Sequence, residues 1–284
     1  MRLAILCCVT ALAAGGPAAA HPGVGIVMDE RGNVFYTDLT QVWKIAPDGS
    51  KSVAVPGVHT HELCLDAAGN LFGEHLWYEG EKTDKWGHRV WRRAPDGALQ
   101  DVIPATEGFL ENYSFVRDRA GTMYFVERVP KVVFRKKVQG GPTAQLAACP
   151  DCRDVRWLTV TADGVVYFED GVDLRRIDPS GTVRTVARNL GARVFTQPQV
   201  SDAHLLMGLW TAPSGNVYVS SYGSREVKRV APDGAVEIVA TARFPWAPTG
   251  GMIAPNGDLW LLECSTTNAV RVRRIDRSGK VKVF

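Results

Sequence analysis

The densest set of side chains able to do chemistry lies between His59 and His75, in the run HTHELCLDAAGNLFGEH. It holds His59, His61, Glu62, Glu74 and His75. Imidazoles and carboxylates move protons near neutral pH and ligate divalent cations. A His-rich set favours Zn²⁺, and an oxygen-rich set favours Ca²⁺ or Mg²⁺. The expected metal ligands are therefore His61, Glu62, Glu74 and His75, around one divalent ion (Ca²⁺, Mg²⁺, Mn²⁺ or Zn²⁺). His61 and Glu62 are also expected to be catalytic, together with Asp154 further along the chain. Strand geometry sets a condition on this. On a regular strand His59 and His61 share one side and Glu62 faces the other. The three can meet at one ion only if regular strand begins after His61.

The elements that must position these groups form a repeat, the feature to look for before any other. Its six copies are GIVMDERGNVFYTD (25–38), ELCLDAAGNLFGEH (62–75), SFVRDRAGTMYFVE (114–127), WLTVTADGVVYFED (157–170), GLWTAPSGNVYVSS (208–221) and GMIAPNGDLWLLEC (251–264). In each, a short apolar strand meets a turn whose Gly supplies positive φ, and a β-rich strand follows. A third strand then ends in a second turn, as in VWKIAPDG, VWRRAPDG and VKRVAPDG. A fourth strand closes the unit, as in SVAVP (52–56) and VKVF (281–284). Four short strands per unit without helical periodicity describe a propeller blade. The fold class is all-β, a six-bladed β-propeller of four-stranded antiparallel blades. The first and last blades each look complete, so the ring should close by side-by-side contact, with a weak edge at the seam.

The pattern D-x-x-G-N-V-Y-x-x-D … V-x-R-I-x-P-D-G resembles NHL-type repeats and the SMP-30/gluconolactonase-like six-bladed propellers, over nearly all of residues 21–284. This resemblance implies an exported propeller with a metal-assisted lactonase or esterase site at one channel mouth. Family lactonases hold a metal there with Glu, Asn and Asp, and Glu62, Asn112 and Asp154 are chemically similar. The family's Glu-Gly-Pro context in the first blade is absent, so its catalytic residues are not carried over. The other class of function that the resemblance leaves open is a non-catalytic NHL-type binding or scaffold propeller for a peptide or glycan.

Comparing the copies with one another sharpens the site. Where Glu62 stands, the other copies carry Gly25, Ser114, Trp157, Gly208 and Gly250. The glycines imply a crowded axis, and a Glu among them is costly to bury without a role. Nearby lie Glu111 and Asn112, Asp154 and Arg156, and His204. Loops after the second strands add Asp38, Glu74, Glu127, Glu169 with Asp170, and Glu263. These acids either line the mouth or pair with arginines of the third strands. Asn112, Arg156 and Trp77 are expected to bind substrate, with Tyr78 and Trp86 forming a lid or a sticky rim in the long blade-two insertion. His88, in the same insertion, is expected at the surface.

Composition removes other classes. Arg2, the apolar run 3–14 and Ala18-Ala19-Ala20 read as a signal peptide cleaved after Ala20, for a periplasmic or secreted protein. A net charge of +3 with scattered Lys and Arg argues against nucleic acid, and no later apolar run is long enough for membrane insertion. No nucleotide fingerprint or nucleophile elbow occurs. Arg153 follows Cys149-Pro-Asp-Cys152 where haem attachment needs His, so no haem is expected. That pair is expected as a local disulfide or as free thiols, and Cys64 and Cys264 are expected not to pair.

Overall fold

The computed structural model describes residues 22–79, 82–83, 85–107, 115–128, 131–138, 141–192 and 205–284. The signal segment 1–20 and Glu111, Asn112, Ser114 and His204 lie outside the described residues. Within them the chain forms six four-stranded antiparallel sheets, each built from four consecutive strands. This is the six-bladed propeller that the repeat implies.

The turn residues show why the copies fold alike. Gly32, Gly69, Gly121, Gly164, Gly215 and Gly257 all adopt φ between +76° and +85°, a region that only Gly occupies freely. In the first blade Asp29 receives the amides of Arg31 and Asn33 at 3.0 and 2.8 Å. Asp66 does the same for Ala68 and Asn70 in the second blade, at 3.0 and 2.8 Å.

The core is not one body but a set of apolar seams between blades. One seam joins Phe35, Val42 and Val55 of blade one to Leu71 and Trp91 of blade two. Others join blades three and four through Phe134 and Phe168, blades four and five, and blades five and six. The closing seam is also apolar: Ile26 and Tyr36 of blade one share a cluster with Trp260 and Leu262 of blade six. Phe284 stacks on Trp260 at 5.4 Å, and its amide donates to Val272 O at 2.9 Å. The seam is therefore a packed interface and not the weak edge expected. Among the described residues, no such cluster joins blades two and three; a crevice of about 190 Å³ lies there, with Arg117 over the Phe72 ring.

First strands line a central channel of about 700 Å³. At its upper end the chain is as crowded as the glycines suggested. A Cβ on Gly250 would stand 2.0 Å from Val24 O, and one on Gly208 would stand 2.7 Å from Thr249 O. The Gly208 amide donates to Thr249 O at 2.8 Å, and the Gly25 amide donates to His61 O at 2.8 Å. Adjacent blades thus hold each other by backbone at the axis, where any side chain would intrude.

Candidate functional site at the blade-two mouth

In blade two the first strand covers only Cys64–Leu65. His59 to Leu63 therefore precede regular strand, which meets the condition for His59, His61 and Glu62 to work together. The segment is held from both sides. Thr37 Oγ1 donates to Thr60 O at 2.6 Å. Thr60 Oγ1 donates to Glu74 O, which also accepts Trp91 Nε1 at 3.1 Å. Trp91 fits because residue 73 is Gly: a Cβ there would meet the indole at 2.4 Å.

This frame brings the polar groups together in pairs. The His61 amide donates to Glu74 Oε1 at 2.8 Å, and His61 Nδ1 lies 3.6 Å from the same oxygen. The His59 amide donates to His75 Nδ1 at 2.9 Å, and the rings of His59 and His61 meet edge to face at 4.8 Å. Burial, then the neighbouring His61, lowers the pKa of His59, and burial, then Arg89, lowers that of His75. Both rings are therefore neutral at physiological pH. Glu74 is buried, and its Oε2 accepts no hydrogen bond among the described residues.

Glu62 lines the channel and keeps partial exposure through it, with protein on its other sides. Burial first, then Glu74, drives its carboxyl well above the usual range, and Arg128 opposes this. Arg128 is anchored by donating through Nε and Nη2 to Val155 O, at 3.1 and 3.0 Å. The result is a corner where burial raises one carboxyl well above its usual range, with a second, buried carboxyl near enough to add to that rise.

Elsewhere the acids of the mouth are neutralised by arginine or by hydrogen bonds. Glu127 bonds Arg135 at 2.9 Å, and Glu263 bonds Arg271 and Arg273 at 2.7 and 2.6 Å. Asp170 meets Arg175 at 3.1 Å and accepts the amides of Arg153 and Asp154, both at 2.9 Å. Burial works against its charge, but these bonds prevail and hold its pKa low. Asp38 is satisfied by Thr40, Gln41 and Trp43. Pairing with third-strand arginines thus accounts for three of the acids, and it leaves Glu74 and Glu169 out. Opposite Glu74 the third strand carries Val90, and opposite Glu169 it carries Leu174.

Glu169 is the residue that the sequence comparison undervalued. It is fully buried and neither oxygen accepts a hydrogen bond among the described residues. Burial lifts its pKa well above the usual range, with Arg156 opposing and Asp154 adding to the rise. The signal was present: Glu74 and Glu169 each stand five residues after their hairpin glycines, Gly69 and Gly164.

The remaining expected residues fall as follows. Asp154 and Arg156 lie on blade four, two blades around the ring from Glu62, and bond each other at 3.0 Å. Second and third strands of blade two run eight residues each, Leu71–Tyr78 and Trp86–Arg93, against four or five in blade one and blade four. The extra length raises a hairpin beyond the mouth. Trp77 lies across Gly87, while Tyr78 and Trp86 stack at 4.2 Å with about two fifths of each exposed. These aromatics form a rim. His88 is buried, 6% exposed, because its strand turns it inward opposite Leu76; the expected surface position is corrected.

Among the described residues, one group offers three ligand atoms within 4.8 Å of one another: Cys149, Asp151 and Cys152. Its two sulfurs are joined as a disulfide, so it is no metal site. Cys64 and Cys264 are unpaired. The set His61, Glu62, Glu74 and His75 is brought to one corner as the His61–Glu74 pair, a channel-facing Glu62 and a His75 bonded to His59, without three donor atoms converging within that distance.

No family model matches the sequence, and no curated protein matches it at a significant level. Solved structures do match. A gluconolactonase from Xanthomonas campestris aligns with a TM-score of 0.60 at 13% identity, covering 87% of this chain and 85% of that one. Regucalcin from Agrobacterium tumefaciens, described as a calcium-binding protein, aligns with a TM-score of 0.56 at 15% identity, over 85% and 81%. A catalytically inactive histidine-to-alanine variant of virginiamycin B lyase from Staphylococcus aureus, solved with quinupristin, aligns at 0.55 and 15% identity, over 93% and 84%. The chain has the fold of the SMP-30/gluconolactonase-like propellers. No helix among the described residues is long and apolar enough to cross a membrane.

Proposed function

We propose that the protein is a hydrolase of the lactonase or esterase type, with Glu62 and Glu74 as its reacting groups. One observation carries this reading: Glu62 and Glu74 lie near each other at the blade-two mouth, neither is clamped by arginine, and burial raises the Glu62 carboxyl well above its usual range. Two carboxyls in different surroundings can divide the labour of acid–base catalysis. Protonated Glu62, facing the channel, donates to the carbonyl or leaving oxygen of an ester. Glu74 is the proposed acceptor of the proton from the attacking water, through an Oε2 that is buried and accepts no hydrogen bond among the described residues. His61, 3.6 Å from Glu74 Oε1, steadies that carboxylate. Each transfer of this kind is worth about 10²–10⁴-fold in rate.

In kind, the buried Glu74 Oε2 and the Glu62 carboxyl would suit a hard divalent cation only with both groups ionised, so the cation stands as the alternative to the acid and base roles above and not beside them. Ca²⁺, Mg²⁺, Mn²⁺ or Zn²⁺ bound there would polarise the ester carbonyl. Arg156, bonded to Asp154, and Trp77 with the rim beside it are the proposed contacts for a small-molecule substrate. The expected export to the periplasm or the outside is part of the same proposal, and the Cys149–Cys152 disulfide suits an oxidising compartment.

A second reading, a non-catalytic propeller binding a peptide or glycan, draws on the exposed Tyr78–Trp86 stack. A panel of lactones and p-nitrophenyl esters separates the two. Under the hydrolase reading, wild type turns over at least one ester and Glu74→Gln loses about 10²-fold or more in kcat/KM. Turnover unchanged in Glu74→Gln contradicts the assignment of the base.

A further inference from the structure

The proposed reaction uses one mouth of the central channel, and the opposite mouth carries charge of the other sign. The glycine ring closes the upper end backbone to backbone, with the Gly25 and Gly208 amides donating to neighbouring blades at 2.8 Å. At the lower end the lining passes into the hairpin turns between first and second strands, where Pro213, Ser214 and Pro255 are exposed. Three arginines belong to that end of the lining: Arg117 and Arg119 of blade three and Arg277 of blade six. Blades three and six stand opposite each other in a ring of six, so the cations border the mouth from both sides.

Two of these side chains are held in place. The Arg117 guanidinium lies over the Phe72 ring, 5.6 Å from its centroid. Arg277 is laid across the sixth hairpin turn because residue 257 is Gly: a Cβ there would stand 2.4 Å from Arg277 Nε. No carboxylate at this end of the wall balances them. Among the described residues Glu62 is the one carboxyl of the lining, and it belongs to the upper end. The turn aspartates Asp29, Asp66 and Asp118 are bonded within their own hairpins and do not line the channel. Arg119 and Arg277 enter no ion pair among the described residues. Guanidinium forks match the planar oxygens of carboxylate and phosphate, and cations grouped at a low-dielectric cleft focus a field that draws anions in. Thr159, Thr211 and Ser214 add hydroxyl-bearing residues to the same wall. The channel volume of about 700 Å³ is that of a small-molecule site.

We propose that the lower mouth of the channel binds a small oxyanion carrying two or more charges, held by Arg117, Arg119 and Arg277. This site is separate from the blade-two corner and does not rest on the hydrolase reading.

The test is titration calorimetry at low ionic strength, where such attraction is least screened. The probes are pyrophosphate and citrate, with acetate as the singly charged comparison. Saturable binding of pyrophosphate, citrate or both is expected, and the tighter of the two tells phosphate from polycarboxylate. Arg119→Gln and Arg277→Gln, both on exposed turns, should each weaken that binding about tenfold. Arg31→Gln, an exposed arginine of the first hairpin turn outside the lining, should bind like wild type. No saturable heat with either multivalent probe overturns the site. So does an equal loss in Arg31→Gln and Arg277→Gln, which would show only a diffuse attraction to surface charge. Acetate binding as tightly as citrate and pyrophosphate overturns the multivalent ligand. Ester turnover enters none of these readings, so failure of the hydrolase assignment and failure of this site are told apart.

Discussion

At the scale of single residues, two carboxyls at the same register have opposite surroundings. Glu74 has the amide of His61 at 2.8 Å and the imidazole nearby, whereas Glu169 has no hydrogen bond among the described residues. Burial lifts the Glu169 carboxyl well above the ordinary 4.5, so the folded chain holds this proton to higher pH than the unfolded chain does. Below that ordinary value both states carry the proton and the residue adds no pH dependence. As pH rises past it, the unfolded state releases the proton first, so stability falls with pH. Glu169→Gln should match wild type at pH 4 and exceed it by about 1–3 kcal/mol at pH 8 in urea melts. Equal pH dependence in the two proteins would contradict this burial. The residue types of the corner were legible in the sequence. The partnerships were not, because they do not follow the cross-strand register: Glu127 stands opposite Val133 and yet meets Arg135, while Glu74 and Glu169, opposite Val90 and Leu174, meet no arginine.

At the scale of elements, the first strands meet at the axis through backbone and therefore require glycine. Gly250→Ala places a Cβ 2.0 Å from Val24 O, where backbone of blade one has nowhere to go. It should cost about 3 kcal/mol or more, or prevent folding, measured by thermal melting. A loss below about 1 kcal/mol would mean that the ring is looser than described. The sequence comparison read this crowding correctly from three glycines at one position. It could not read where regular strand starts in blade two. Two residues of first strand, Cys64–Leu65, leave His59 to Glu62 free of the two-fold alternation that seemed to separate them. The inward turn of His88 escaped it for the same reason, since the hairpin strands run further than the repeat.

At the scale of the whole molecule, six consecutive copies give six consecutive sheets, and the architecture follows from the repeat almost without loss. Closure is the part that the repeat does not specify. Blade six returns to blade one through Ile26, Tyr36, Trp260 and Leu262, with Phe284 stacked at the end. Phe284→Ala should lower stability by about 1–3 kcal/mol, seen as a lower midpoint in denaturant. No change would show that the last strand is dispensable for closing the ring.

The central claim is that Glu62, set between Glu74 and the central channel, acts as the acid of an ester hydrolase. Its most direct test is kcat/KM of Glu62→Gln against wild type on the best ester of the panel, at one pH, with both proteins melting alike. The account predicts a loss of about 10²–10⁴-fold. A Glu62→Gln variant that keeps wild-type kcat/KM would contradict it.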